Sequence, residues 1–319
     1  MRLLVFEAKP RSRIAAVVNE RLVVDPLAAV HSGVELGKCD LTALQDLRAL
    51  LEARDEGIAF VAAAVRWAKG VLRRGERHVA LLERDSLRLA PPLPPETTII
   101  AMGRNFGRHV EEGNARRRRL GQEAIAASER PQAFLKLGRC AVGDRAIVPY
   151  PKVTSQLDYE GEVALVIGKP TYGVLPEHAM QYVAGYTILN DLSCRDIQRA
   201  ETSGGLLLLA KNLPGSAPMG PELVLADEVP DPSALRIRTT VNGNLRQDAT
   251  LEEMRFNWPT LISYWSQIGL RPGDVIAGGT PDGVALGRAD DAWYLRPGDM
   301  IEIEVEGLGV LHTEIGTPT

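Results

Sequence analysis

Cysteine is scarce in this chain. Only Cys39, Cys140 and Cys194 occur among 319 residues, and no two of them form a CxxC pair. So sparse and odd a set argues against a disulfide scaffold or a zinc ribbon and suits a reducing compartment. An excess of one charge is also missing. The net charge of −4 and a pI near 5.8 offer nothing for tracking a nucleic-acid backbone. Lysine and arginine are scattered except at Arg116–Arg119, a run that reads as a solvated face or a mobile loop. No apolar run nears the roughly 18 residues a membrane span needs, and the opening MRLLVFEAKPRSRI is too short an apolar stretch for a signal peptide. A cytoplasmic protein is therefore expected, with no nucleic-acid or membrane partner. Also absent are GxxxxGK[ST], GxSxG, HExxH and a GxGxxG that follows a strand, which sets aside the enzyme classes built on them.

What is present is ordinary globular material, 45% hydrophobic and 24% charged. Residues 1 to about 30 alternate in short runs and predict a small hairpin-rich sheet; residues 41–74 carry apolar side chains at three- and four-residue spacing and predict two helices. The proline-rich LAPPLPPETT (89–98) marks a boundary, giving a small N-terminal domain, 1–92, and a larger one, 93–319. Beyond it come many short β-rich runs, with Asn242–Gly243 as a hairpin signal and helices expected over 176–185 and 258–269. LRPGD occurs twice, at 270–274 and 295–299, each time launching a strand. The pattern is α+β and β-rich rather than doubly wound.

The most suggestive stretch is DYEGEVALVIG, residues 158–168. On a strand, Asp158, Glu160 and Glu162 would share a face at about 6.6 Å intervals, a spacing that suits either a solvated strand or part of a site for a hard divalent cation. Alternation alone does not decide, because IEIEVEG (301–307) alternates Glu302, Glu304 and Glu306 against Ile301, Ile303 and Val305 and reads as an ordinary half-exposed strand. Asp191 ends another apolar strand, where it either caps the following helix or faces a site. Arg195, Gln198 and Lys211 lie close behind; a lysine after LLLLA either snorkels or meets an anion. His109 and Glu112 are three apart, so on a helical turn they would pair as a general base or remain a surface pair. AGGTPDG (277–283), with Thr280, is a glycine-rich turn able to approach an anionic ligand. His31, His78, His178 and His312 have no assigned role.

In order along the chain, GRNFGRHVEE, PQAFLKLGRCAVG, DYEGEVALVIGK, YTILNDLSCRDIQ, a lysine followed by APMGP, GTPDGV and LRPGDMIEIEVEGLGVL resemble the fumarylacetoacetate hydrolase family over about residues 98–315. The resemblance implies a mixed β-sheet roll or sandwich of that family's type behind a small N-terminal α+β domain, assembled as a homodimer. It implies Mg²⁺ or Mn²⁺ held by Glu160, Glu162 and Asp191. His109 and Glu112 become a water-activating dyad, Lys211 neutralises charge on substrate or intermediate, and Arg195, Gln198 and Thr280 contact substrate. Asp158 is not carried over as a ligand. Two departures lie near the expected substrate pocket: many members read K-S-F-D where this chain has Lys211–Asn212–Leu213–Pro214, and T-G-T-P where it has Gly278–Gly279–Thr280–Pro281. The expected activity is hydrolysis of a carbon–carbon bond in an acylpyruvate-like β-diketo acid through a metal-stabilised enolate. An isomerase, decarboxylase or sugar-acid dehydratase working through the same enolate is the alternative, and a non-catalytic member kept for its fold is the reading from another class.

Overall fold

The structure is a computed structural model, described over residues 1–288 and 291–318. Strand Gly161–Ile167, buried along its whole length, lies in the middle of a twelve-stranded sheet. It pairs antiparallel with Val183–Asn190 on one side and Val275–Ala277 on the other. Thr98–Gly103 runs parallel to Val275–Ala277 and antiparallel to Gln132–Leu137. A second sheet of five strands contains Arg236–Val241, Asn244–Thr250 and Met300–Val305. Its tight hairpin turns at Asn242 and Gly243, with φ of 51° and 74°, the left-handed pair that a two-residue turn requires.

Gly161–Ile167 reads as a continuous apolar run because both of its faces are covered. Val163, Leu165 and Ile167 pack with Ile237, Ile301 and Ile303 of the five-stranded sheet. Ala164 and Val166 pack with Leu47, Leu50, Phe60 and Val61 of the N-terminal helices Leu47–Glu52 and Arg54–Arg73. Met300–Val305 has one covered face only, and there Glu302 and Glu304 are exposed while Ile301 and Ile303 are fully buried.

The large sheet runs across the proline-rich segment. Arg2–Phe6 pairs with Ala217–Leu225, and Leu89–Ala90 pairs with Arg2–Phe6, so residues on both sides of position 92 share one sheet and one apolar cluster. The helix expected over 176–185 is shorter and of another kind. A 3₁₀ turn, Pro176–Tyr182, gives way at Val183 to the strand, because from Val183 on the chain pairs with Gly161–Ile167 and, from Gly185, with Ala217–Leu225, where only a glycine fits against the backbone at Val224. Trp258–Trp265 is helical as expected; Asn257 caps it by accepting from Thr260 N–H (3.1 Å), an interaction worth about 0.5–2 kcal/mol. Arg116–Arg119 form neither a loop nor a fully solvated face. They end the helix Gly107–Arg119, where Arg116 is half-buried and Arg119 donates to Gly287 C=O (2.7 Å). Among the described residues no helix is long and apolar enough to cross a membrane.

Candidate metal and active site

Three buried carboxylates meet where the central strands end. Gly161 pairs with Asn190, and Asp191 N–H donates to Glu160 C=O (2.8 Å), so the corner after Val183–Asn190 carries Asp191 back onto Glu160. One oxygen from each of Glu160, Glu162 and Asp191 lies within 4.8 Å of the others. Gly161, between the two glutamates, is required by space: a β-carbon there would overlap the Thr239 hydroxyl. Asp158 behaves differently. The strand breaks at Tyr159–Glu160, and Asp158 turns to accept from Ala285 and Leu286 N–H (2.9 and 3.0 Å) and from Arg195 Nε (2.7 Å).

Three buried cations face these acids. Arg195 bridges Asp158 and Glu160 (2.7 and 2.5 Å). Lys211 does not snorkel; its Nζ lies 2.5 Å from Glu160 and 2.7 Å from Asp191, with the Phe134 ring below it. Lys136 Nζ sits 2.7 Å from Asp191 and donates to Lys211 C=O (2.5 Å). Burial alone would raise the Glu160 carboxyl, but Arg195, Lys211 and His109 outweigh it and hold that group well below the usual carboxylate range. Burial likewise opposes the charge on Lys211, and Asp191 and Glu160 reverse the effect, so its pKa rises. Lys136 moves down, because burial outweighs the attraction of Asp191.

Among the described residues Glu162 forms no ion pair with a cation, although the charge of Lys211 reaches it. It accepts from Gly279 N–H (3.1 Å), and its pKa is driven well up by burial and then by the charges of Asp191 and Glu160. A third buried acid beside two others, only partly compensated by the Lys211 charge and the Gly279 amide, is a donor set that suits a hard divalent cation. Glu160, Glu162 and Asp191 are the residues that could hold it.

His109 and Glu112 lie on one face of helix Gly107–Arg119, with His109 Nδ1 3.6 Å from Glu112 and lacking a hydrogen-bond partner. Gly283 N–H donates to both Glu112 oxygens (3.2 Å each). Gly287 leaves room for that carboxyl, since a β-carbon there would occupy the same space. The 277–283 turn therefore directs amides at the protein's own acids, Glu162 and Glu112. Thr280 is similarly engaged: its hydroxyl donates to Gly161 C=O (3.0 Å) and accepts from Gln247 (2.7 Å). Gln198 accepts from Arg195 Nη1 (2.7 Å). The departure at Gly278 has a steric counterpart, because a β-carbon there would lie 2.8 Å from the Trp258 ring. Asn212, in the other departing segment, accepts from Leu137 N–H (2.7 Å) and donates to Leu135 and Leu208 C=O.

Sequence reasoning did not single out Lys136, Gln247 or Asn105. Lys136 had a signal, a lysine in the apolar strand AFLKL. Gln247 ties Gly161 N–H (3.0 Å) to Thr280 and Pro281 and is not announced by its neighbours in sequence; Asn105, which ties Gly278 to Phe256, stands within the GRNFGRHVEE motif.

The structure thus combines a sheet-rich α+β fold, three buried carboxylates and a histidine–glutamate pair. The family model for the fumarylacetoacetate (FAA) hydrolase C-terminal region matches residues 98–316, and the chain belongs to that family. It is 38% identical over 273 residues to the oxaloacetate tautomerase YisK of Bacillus subtilis, covering 84% of this chain and 86% of that one. Among solved structures, a fumarylacetoacetate hydrolase from the psychrophile Exiguobacterium antarcticum aligns over 99% of both chains with a TM-score of 0.74 at 29% identity. A maleylpyruvate hydrolase from a Sphingobium species aligns over 99% of this chain and 100% of its own, with a TM-score of 0.71 at 25% identity.

Proposed function

We propose that this protein is a divalent-metal-dependent enzyme that forms the enolate of a 2-oxo acid, and that it uses it to cleave a carbon–carbon bond in an acylpyruvate-like β-diketo acid. The observation that carries this reading is the convergence of Glu160, Glu162 and Asp191 within 4.8 Å, deep in the fold. Glu160, Glu162 and Asp191 would hold Mg²⁺ or Mn²⁺, which when bound would supply Lewis acidity to a developing enolate. His109, oriented by Glu112, takes a proton from water aimed at the distal carbonyl; a positioned base of this kind contributes about 10²–10⁴-fold. Lys211 offers a cation to negative charge on the substrate, and Arg195 fixes Glu160 while remaining next to Gln198. The names of the Exiguobacterium and Sphingobium relatives support hydrolysis.

A second reaction on the same site is keto–enol tautomerisation, favoured by the extent of the match to YisK. It needs proton transfer at the carbon beside the 2-oxo group and no attacking water, so His109 would serve it as well. Product analysis separates the two. The purified protein, incubated with acylpyruvates and with oxaloacetate in Mg²⁺, Mn²⁺ or EDTA, is expected to release pyruvate and a second acid from an acylpyruvate. Accelerated interconversion of the oxaloacetate keto and enol forms, without release of a second acid, would replace hydrolysis by tautomerisation. Equal rates in EDTA and in Mg²⁺ would overturn both.

A further inference from the structure

Resting on the reading of the substrate as a 2-oxo acid, we propose that Arg116 and Arg199 form an anion subsite that receives the far carboxylate of a 2-oxo dicarboxylate. Residues at i, i+3 and i+7 share a face, so Arg116 stands with His109 and Glu112 on helix Gly107–Arg119. Residues at i, i+3 and i+4 share a face as well, which puts Arg199 with Arg195 and Gln198 on helix Arg195–Ser203. The two guanidiniums thus extend, one turn further along each helix, the faces that carry the dyad and the Glu160-bound arginine.

Neither is satisfied by the protein. Among the described residues no carboxylate comes within 4 Å of either guanidinium. Arg199 donates through Nη2 to Gln156, while its Nη1 is buried without a partner. Arg116 is half-buried; burial and then the charge of Arg199 disfavour its protonated form, Tyr294 opposes them, Arg119 adds a smaller disfavouring charge and Asp291 a smaller opposing one. Arg119, Arg195 and the Tyr294 phenol lie in the same electrostatic neighbourhood; of the acids there, Asp291 accepts from Gln156 (3.4 Å), and Asp196, on the Arg199 face of its helix, accepts from Thr154 and Ser155. Two arginines brought together this way repel unless an anion joins them, and a carboxylate matches the guanidinium fork geometrically. With the 2-oxo end of the substrate at the acids beside Arg195, a second carboxylate at this end would fix its orientation.

The test is calorimetric and needs no turnover. Wild type, Arg116→Met and Arg199→Met, each saturated with Mg²⁺, are titrated with 2-oxo dicarboxylates of four to six carbons and with the 2-oxo monocarboxylates of matching length. Wild type is expected to bind at least one diacid roughly tenfold more tightly than its monoacid. Each variant should lose that preference while its affinities for Mg²⁺ and for the monoacid stay as in wild type. The subsite is wrong if wild type shows no preference, if both variants keep it, or if the variants weaken monoacid and diacid equally. Failure of every monoacid to bind in a Mg²⁺-dependent way would count against the 2-oxo acid reading itself. The diacid comparison across the variants would then still judge the two arginines as an anion site.

Discussion

At the residue scale the instructive contrast is between Glu160 and Glu162, two side chains of the same type two positions apart. Glu160 is held ionised by Arg195 and Lys211, whereas at Glu162 burial and the charges of Asp191 and Glu160 outweigh Lys211 and the Gly279 amide. An acid whose folded pKa is raised above its unfolded value destabilises the fold at pH values above that unfolded value. Replacing Glu162 by glutamine removes that burden and also removes a ligand. At pH 7.5 the metal-free Glu162→Gln protein is therefore expected to melt above metal-free wild type, with Mg²⁺ affinity reduced roughly 100-fold or more and the Mg²⁺-induced rise in Tm lost. Differential scanning fluorimetry with and without Mg²⁺ reads both effects; a lower metal-free Tm in the variant would contradict this account of Glu162. The acids could be read from DYEGEVALVIG and the ordered motifs around it. Of their counter-ions Arg195 and Lys211 were candidates in the sequence, while Lys136 showed only as a lysine among apolar neighbours, which a lysine whose amine reaches solvent can also show. Burial and the partner across the fold make the difference, and neither is a property of the strand's own sequence.

At the scale of elements, helix Gly107–Arg119 is seated through its glutamate. Gly283 grips Glu112, and Gly287 leaves the space that its carboxyl fills. Gly287→Ala should displace Glu112, leave His109 without its orienting group and lower turnover about 100-fold, with Mg²⁺ affinity unchanged. Steady-state kinetics alongside Mg²⁺ titration checks this, and unaltered turnover would show that the helix is not held this way. Strand Gly309–Gly316 carries a separate, pH-dependent tie. The Asp144 hydrogen bond raises the His312 pKa above 6.5 against the opposing effect of burial, with further help from the charges of Asp144 and Glu302. A histidine with a raised folded pKa adds stability that is complete below its unfolded pKa and is lost as pH climbs through the folded one. His312→Gln should accordingly cost more stability at pH 5.5 than at pH 8.5 in urea unfolding; an equal cost at both would remove the tie. Both LRPGD turns were legible as turns, and in each the aspartate accepts from the arginine three residues back, Asp274 from Arg271 (2.9 Å) and Asp299 from Arg296 (2.6 Å). The helix expected over 176–185 misread its last residues, because apolar spacing in MQYVAG fits a helix as well as the start of a buried strand.

At the scale of the whole molecule, the sequence pattern identified most strands but could not say which of them pair. Arg2–Phe6 and Ala217–Leu225 are neighbours although more than two hundred residues separate them, and a strand's alternation carries no record of its partner. The prolines of 89–98 suggested a linker, yet Leu93 is buried and Leu89–Ala90 adds to the sheet. Deletion of residues 1–92 would leave Ala217–Leu225 with an open edge and uncover Ala164 and Val166 beneath the lost helices. Residues 93–319 alone are expected to aggregate on expression. A soluble, monodisperse fragment with a cooperative melt would show instead that the catalytic part folds by itself.

Mg²⁺-dependent enolate formation from a 2-oxo acid is the step that hydrolysis and tautomerisation share. NMR in D₂O follows it directly, as the exchange of the C3 protons of pyruvate and of oxaloacetate for deuterium in the presence of the protein. Exchange should be accelerated by Mg²⁺, abolished by EDTA and lost in His109→Asn. Exchange no faster than in buffer for either acid, or unaffected by EDTA, would contradict it.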